Sequence, residues 1–354
     1  MSLEDDRQAL HTLLQRGLEV ELFTIGPYLT ALYSIPDGVN RAAADIIKSV
    51  AMEEMLHMVL VANVMNAIGG RPRLCAELVR QERNSHLELA VRRYPANLPH
   101  VDRTLRISLR RFSRRAIEDF REIERPENAS QWRSRTPKRT GISSIGEFYD
   151  VLTDRLIAAS NRWGEKALFN GAPEKQISGA DYYGGGGNIT VVGGLADAKE
   201  ALSEVAQQGE GRRYTNQTGD AERFDQPKEV AHFYRFEEIL AGRRYDRDAD
   251  VSLEPSGAIL SVDWEVVSPM KDNPSAKKTR PDGVQGLLGA FGQAYGEVLR
   301  SLHLAFNGHR EALRDQSVTA MHTLREVSIG LLTMNSKDDP RNGPPFWFVE
   351  LVKK

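Results

Sequence analysis

The chain has 354 residues, 40% of them hydrophobic, a formal net charge of −2 and a single cysteine, Cys75. That is enough apolar material for one large core or two modest ones, while the near-neutral charge leaves no footprint for nucleic acid or an anionic membrane. No apolar run approaches the roughly 20 residues that span a bilayer, and one cysteine excludes an internal disulfide framework and any cysteine-based metal cluster. The start, MSLEDDRQAL, has neither the basic nor the apolar region of a signal peptide. A soluble, cytoplasmic protein is expected, in which any metal must be held by Glu, Asp and His.

From about Leu3 to Tyr33, the residues Leu10, Leu14, Leu18, Ile25, Leu29 and Leu32 recur at helical spacing. Glu21 plots near the centre of that stripe, about 20° from Leu10 at 100° per residue. Glu19 plots well off it and is expected to be solvated. The turn Ser34-Ile-Pro-Asp-Gly leads into a second helix from about Asn40 to Ile68, ended by Gly69-Gly70. Two long helices joined by so short a turn pack antiparallel, which puts Glu21 and Glu54 at similar heights. On the second helix Ile46, Val50, Ala51, Met58, Val61, Met65 and Ile68 form one arc, and Glu54 and His57 fall inside it. A carboxylate on such a face must be neutral, hydrogen-bonded or bound to a cation, because burying it unpaired is costly. Glu54 and His57 form Glu-x-x-His, the i, i+3 pairing by which one helix offers two ligands to a metal in a four-helix bundle.

Arg71 to Arg111 reads as irregular, with Tyr94-Pro95 and Leu98-Pro99 opposing helix and LRISLRRF as a short extended piece. Ser113 caps a helix to about Glu124, and Pro126 stops it. The basic stretch Arg133 to Arg139 lacks the interleaved aromatics of a single-strand binder and reads as a solvated loop. Ser144-Ile-Gly-Glu147 is a capping box opening a helix to about Phe169, which gives Glu147 a structural role. The glycine run in Tyr182 to Asn188 lacks the Gly-Lys-Ser/Thr ending of a nucleotide loop and reads as a flexible connection. A helix over about Asp197 to Gln208 is interrupted at Gly209-Glu210-Gly211. Pro227 opens another, to about Ala241, on which Glu229 and His232 repeat the Glu-x-x-His spacing and share a face with Phe233, Phe236, Ile239 and Leu240. Glu229 also falls in a first turn, where an acid supports the helix dipole. Beyond Gly242 the pattern suggests a hairpin within Val251 to Val267, helices over Gly283 to Gly308 and Arg310 to Leu332, and an apolar tail, GPPFWFVELVKK, that docks. His303, His309 and His322 have no partner spacing and are assigned packing or surface roles.

A lone Glu, a Glu-x-x-His, a Glu on a third segment and a second Glu-x-x-His make up the carboxylate-bridged two-metal scheme of ferritin-like bundles. The expected fold is therefore mainly α: a ferritin-like four-helix bundle with a long insertion, over residues 1–242, and additional C-terminal helices, over 243–354, packed on it as one unit. The expected ligands are Glu21, Glu54, His57, Glu210, His232 and Glu229. Glu204 is the alternative to Glu210, although it plots more than about 100° from its apolar arc. Hard oxygen and borderline nitrogen donors suit two iron ions, with manganese as the alternative. Tyr28, Tyr149 and Tyr234 fall where they either reach this cavity or simply pack.

The stretches EVELFTIGPYLTALYSI, SVAMEEMLHMVLVANVMNAIGG, IGEFYDVL, QQGEG and EVAHFYRFEEILAG, in this order, resemble the ferritin-like domain family associated with iminophenyl-pyruvate dimer synthase, the enzyme of violacein- and rebeccamycin-type pathways. The similarity runs over most of Leu3 to Gly242, and SPMKDNP and AFNGHREAL extend it. The resemblance implies that the positions of Glu21, Glu54, His57, Glu210 and His232 make up the metal site. The bisindole synthases are much longer chains, so for this one the resemblance implies oxidation of another small amine, amino-acid or imine-type metabolite in secondary metabolism. The expected partners are that substrate and dioxygen, with no nucleic acid and no membrane, and a homo-oligomer is compatible with the sequence. Two other readings stand beside it: a non-catalytic iron-binding protein, and a metal-free bundle that binds a partner in a biosynthetic pathway.

Overall fold

The computed structural model describes residues 2–74, 94–101, 105–126, 142, 144–182, 188–210, 230–246, 254–275 and 281–346. Cys75, the basic stretch 133–139, the glycine run 183–187, Glu229 and the tail from 347 lie outside the described residues. The fold is mainly helical. Its elements in order are α1 (Leu3–Tyr33), α2 (Arg41–Ala67), a two-residue antiparallel pair β1 (Ala96–Asn97) and β2 (Arg106–Ile107), α3 (Arg114–Ile123), α4 (Ile145–Trp163), α5 (Glu165–Leu168), α6 (Leu195–Glu210), α7 (His232–Ala241), α8 (Asp282–Ala305) and α9 (Val318–Thr333).

Four of these close into a ring, α1 against α2, α2 against α6, α6 against α4, and α4 against α1. The interior is filled by Leu14, Leu18, Leu56, Leu60, Val64, Leu152 and Leu156, all fully buried, each side chain of this size stabilising by about 1.5–3 kcal/mol relative to exposure. A second pair, α3 against α7, leans on the ring, α3 touching α1 and α7 touching α2 and α6. This pair brings two side chains to the bundle interior that the ring itself lacks.

Local chemistry explains the helix limits. Ser2 and Asp5 form a reciprocal capping box that starts α1. The hydroxyls of Ser113 and Ser144 accept from Ala116 N and Glu147 N at 3.2 and 3.0 Å, starting α3 and α4. Within α1, Pro27 has no N–H to offer the carbonyl of Phe23. The phenol of Tyr94 fills that role, donating to Phe23 O at 2.5 Å. Gly26 makes room for it, since a Cβ there would lie 2.8 Å from the phenol oxygen. The helix therefore runs on without losing a partner for its carbonyl.

Several sequence expectations need correction. The helix from Ile145 ends at Trp163 because Gly164, at φ 85°, occupies the left-handed region; only the short α5 follows. Gly209 does not interrupt α6, which continues to Glu210. Residues 254–267 form no hairpin strands, only an isolated bridge from Ile259 to Arg243. Glu19 is buried, with its carboxylate 2.6 Å from His100 Nε2, because the 94–101 segment covers a face of α1 that the helical plot leaves to solvent. The second Glu-x-x-His is described only from its histidine side, since Glu229 lies outside the described residues. Ala231 is extended (φ −56°, ψ 161°) and α7 starts at His232 itself, later than the helical plot places it.

Candidate metal centre

Glu21 enters the bundle interior from α1, and Glu54 and His57 enter it from α2; all three are buried. The α3–α7 pair adds Glu124, the residue that ends α3, and His232, the first residue of α7. These five side chains form two overlapping groups, Glu21–Glu54–His57 and Glu54–Glu124–His232, each with ligand atoms within 4.8 Å of one another. Glu54 belongs to both. Its Oε1 lies 3.8 Å from His57 Nδ1 and 3.0 Å from His232 Nδ1. Its Oε2 is turned away to accept from Thr24 Oγ1 at 2.9 Å. The two imidazoles lie nearly parallel, 5.7 Å apart.

The two halves have matching surroundings. Glu21 Oε2 lies 3.2 Å from His57 Nδ1, and its Oε1 accepts from the Tyr149 phenol. Glu124 Oε2 lies 3.6 Å from His232 Nδ1, and its Oε1 accepts from the Tyr28 phenol. Each imidazole turns its Nε2 outward: His57 to Gln208 Oε1 at 2.8 Å, His232 to Glu53 Oε2 at 2.8 Å. Tyr28, Phe120 and Phe236 pack edge to face or tilted beside Glu124, an apolar wall that excludes water from this side.

Electrostatics sets the charge state of the cluster. Burial and the neighbouring charges of Glu124 and Glu21 push the Glu54 carboxyl up to about 8. Burial opposes protonation of both imidazoles, but the facing carboxylates outweigh it and raise His57, and raise His232 well above its ordinary value. Burial opposes ionisation of Glu53, yet Arg235 and His232 hold it down at about 2. Burial and Glu124 push the Tyr28 phenol far up, and burial and Glu21 do the same to Tyr149, so both remain donors. Three carboxylates packed this closely require positive charge among them. Protons can supply it, and so can metal ions.

The donor atoms fit metal ions. Because each Nε2 faces an oxygen acceptor, Nδ1 of each neutral ring carries the lone pair, and it points at carboxylate oxygens. Among the described residues, His232 Nδ1 is a buried ring nitrogen with no hydrogen bond of acceptable geometry, despite an oxygen at 3.0 Å. A cation between these atoms would satisfy all of them.

Of the ligands expected from sequence, the structure brings Glu21, Glu54, His57 and His232 together. Glu229 and the side chain of Glu210 lie outside the described residues. Glu204 is not in either group; it accepts from Gln208 Nε2 at 2.7 Å and so orients the amide that faces His57. Among the described residues the third carboxylate is Glu124, which sequence reasoning missed. Its signal was the i, i+3, i+7 spacing of Ile117, Phe120 and Glu124 on one face of α3. Gly209 contributes differently from its expected role: a Cβ there would lie 3.2 Å from Glu124 Oε2, so the missing side chain gives that carboxylate room. Glu53 and Arg235 were also missed. Tyr234 packs edge-on to Phe233 and Tyr245 rather than against the centre.

A family model described as Ferritin-like matches residues 14–241. No curated protein matches the chain. Among solved structures, a ferritin-like protein from Caulobacter vibrioides is similar over 94% of this chain and 96% of that one, with a TM-score of 0.62 and 21% sequence identity; at that identity the likeness speaks for the fold alone. No helix among the described residues is long and apolar enough to cross a membrane.

Proposed function

This chain belongs to the ferritin-like family, whose model spans residues 14–241, and on that premise we propose that it is a dinuclear metalloprotein, an oxidoreductase that uses dioxygen on a small amine, amino-acid or imine-type metabolite. Glu21 and His57 would hold one ion and Glu124 and His232 the other, with Glu54 shared. Iron is the first choice and manganese the second for this set of oxygen and imidazole donors. The observation that carries the reading is the shared oxygen of Glu54, set between two imidazole Nδ1 atoms that each face carboxylate oxygens. When bound, a pair of reduced first-row ions supplies electrons for the reduction of dioxygen and the oxidation of a substrate.

The protein's own contribution is more specific. Thr24 fixes the rotation of Glu54 so that Oε1 is the oxygen presented to both halves. Tyr28 and Tyr149 each hold a proton on the outward oxygen of a carboxylate, leaving the inward oxygen for the centre. The oxygen chemistry and the substrate class rest on the sequence resemblance to the family of iminophenyl-pyruvate dimer synthase, and a cytoplasmic location belongs to the same proposal. Anaerobic reconstitution with ferrous iron tests the centre: about two irons per chain are expected in the wild type and a loss of both in the His57→Ala, His232→Ala double variant. Oxygen uptake that accelerates with a panel of amines, amino acids and imines tests the activity. Iron binding without substrate-dependent uptake would favour an iron-binding protein, and no uptake of iron or manganese would leave a metal-free, partner-binding bundle.

A further inference from the structure

The two halves match in their inner groups but differ one bond further out. His57 Nε2 faces a neutral amide, Gln208 Oε1 at 2.8 Å, and Glu204 lies beyond that amide. His232 Nε2 faces a carboxylate directly, Glu53 Oε2 at 2.8 Å. The other oxygen of Glu53 takes Arg235 Nη1 at 2.8 Å. Arg235 is tied in turn to Ser49 Oγ at 3.1 Å and, through Nε, to Val230 O at 2.6 Å. Glu53 and Arg235 are both buried, so this chain of bonds is screened from water and rigidly placed.

An imidazole whose distal N–H is held by a carboxylate is a stronger donor at its other nitrogen than one held by an amide. A carboxylate stands one hydrogen bond from His232, whereas an amide intervenes between His57 and Glu204. The same contact also sets the ring. His232 follows an extended residue rather than a preceding helical turn, so its orientation depends on Glu53 and on the Arg235 bond to Val230 in the incoming strand of chain. Glu53 adjoins Glu54 in sequence but is turned by about 100° on α2. Two adjacent acids thus have separate tasks.

We propose that Glu53 is a positioning residue that makes the two metal positions unequal, so that the Glu54–Glu124–His232 half binds the first ion and the Glu21–Glu54–His57 half the second. The inference rests on the dinuclear reading above. The test is an anaerobic titration of the full chain with Co(II), followed by its ligand-field absorption. Wild type is expected to fill in two steps of different affinity. Glu53→Gln keeps an oxygen acceptor but not the charge, and it is expected to weaken the first step by about 10- to 100-fold while leaving the second unchanged; a general loosening of the fold would weaken both. Glu124→Gln should remove the tight step and Glu21→Gln the weak one, a comparison that stands even if Glu53→Gln does not fold. Two equal steps in the wild type would overturn the inference and leave the dinuclear centre standing, as would a tight step that survives Glu124→Gln or a Glu53→Gln chain that binds as the wild type does. Failure to bind Co(II) at all would overturn both.

Discussion

Glu54 is the residue on which the centre turns, because one of its oxygens is set between two imidazoles while the other is held by Thr24. The carboxylates on either side of it depend on phenols. Tyr149 donates to Glu21 and Tyr28 to Glu124, each from a fully buried position. Tyr149→Phe leaves Glu21 Oε1 without that donor in a site water does not reach, and is expected to lower stability by roughly 1.5–3 kcal/mol, the range for bonds to charged groups. Urea unfolding of the metal-free chain measures it; a change below about 0.5 kcal/mol would mean that the phenol only packs. At this scale the inward acids and imidazoles were legible from helical periodicity, since Glu21, Glu54, His57 and His232 all fall on apolar arcs. Glu53 was not legible. It plots away from Glu54, and only the arrival of Arg235 and His232 from α7 makes its position a buried one.

At the scale of elements, the end of α2 shows how tightly a loop can be fitted to a helix. Gly171, just after α5, donates its N–H to Ala67 O at 2.9 Å, supplying a partner to one of the last carbonyls of α2. Its Cα lies so close to that helix end that a Cβ would stand 1.8 Å from Asn66 O. Backbone cannot move aside as a side chain can. Gly171→Ala is therefore expected to destabilise by at least about 3 kcal/mol, read from the midpoint and slope of chemical denaturation. A neighbouring change with open space around it, Gly179→Ala, should stay within about 0.5 kcal/mol. Helix α7 makes the opposite point. Its first residue is His232, and the residue before it, Ala231, is extended, where the sequence spacing reads as continuous helix.

Across the whole molecule, the C-terminal helices meet the bundle at the exit from α2. Asn66 Nδ2 donates to Phe306 O at 2.9 Å, and Asn307 Nδ2 donates to Pro72 O at 2.9 Å. His303 lies buried in this junction. Burial, then the charges of Arg71 and Arg73, depress it from 6.5 to about 4. The folded chain therefore holds His303 neutral over a range in which the unfolded chain protonates it. The unfolded state binds the extra proton between those two values, so the contribution is complete above about pH 6.5 and is lost as pH falls towards 4. Unfolding measured across that window should show His303→Gln losing less stability than the wild type between pH 6.5 and pH 4. Parallel pH profiles for the two proteins would show that the junction does not depend on this histidine.

The sequence alone determined that the chain is mainly helical, that α1 and α2 form an antiparallel hairpin, and that acids and imidazoles sit on their inward faces. These are consequences of local periodicity and short connections, which operate within about 30 residues. Tertiary structure decided which carboxylate, among the described residues, joins Glu54 and His232. Periodicity says which way a side chain points from its own helix, but not which helix lies opposite. Glu124 reaches His232 and Glu54 only because α3 packs on α7 outside the four-helix ring. The separation of Glu53 from Glu54 was decided in the same way. Two neighbouring acids acquire different partners when helices from distant parts of the chain close on different sides of α2.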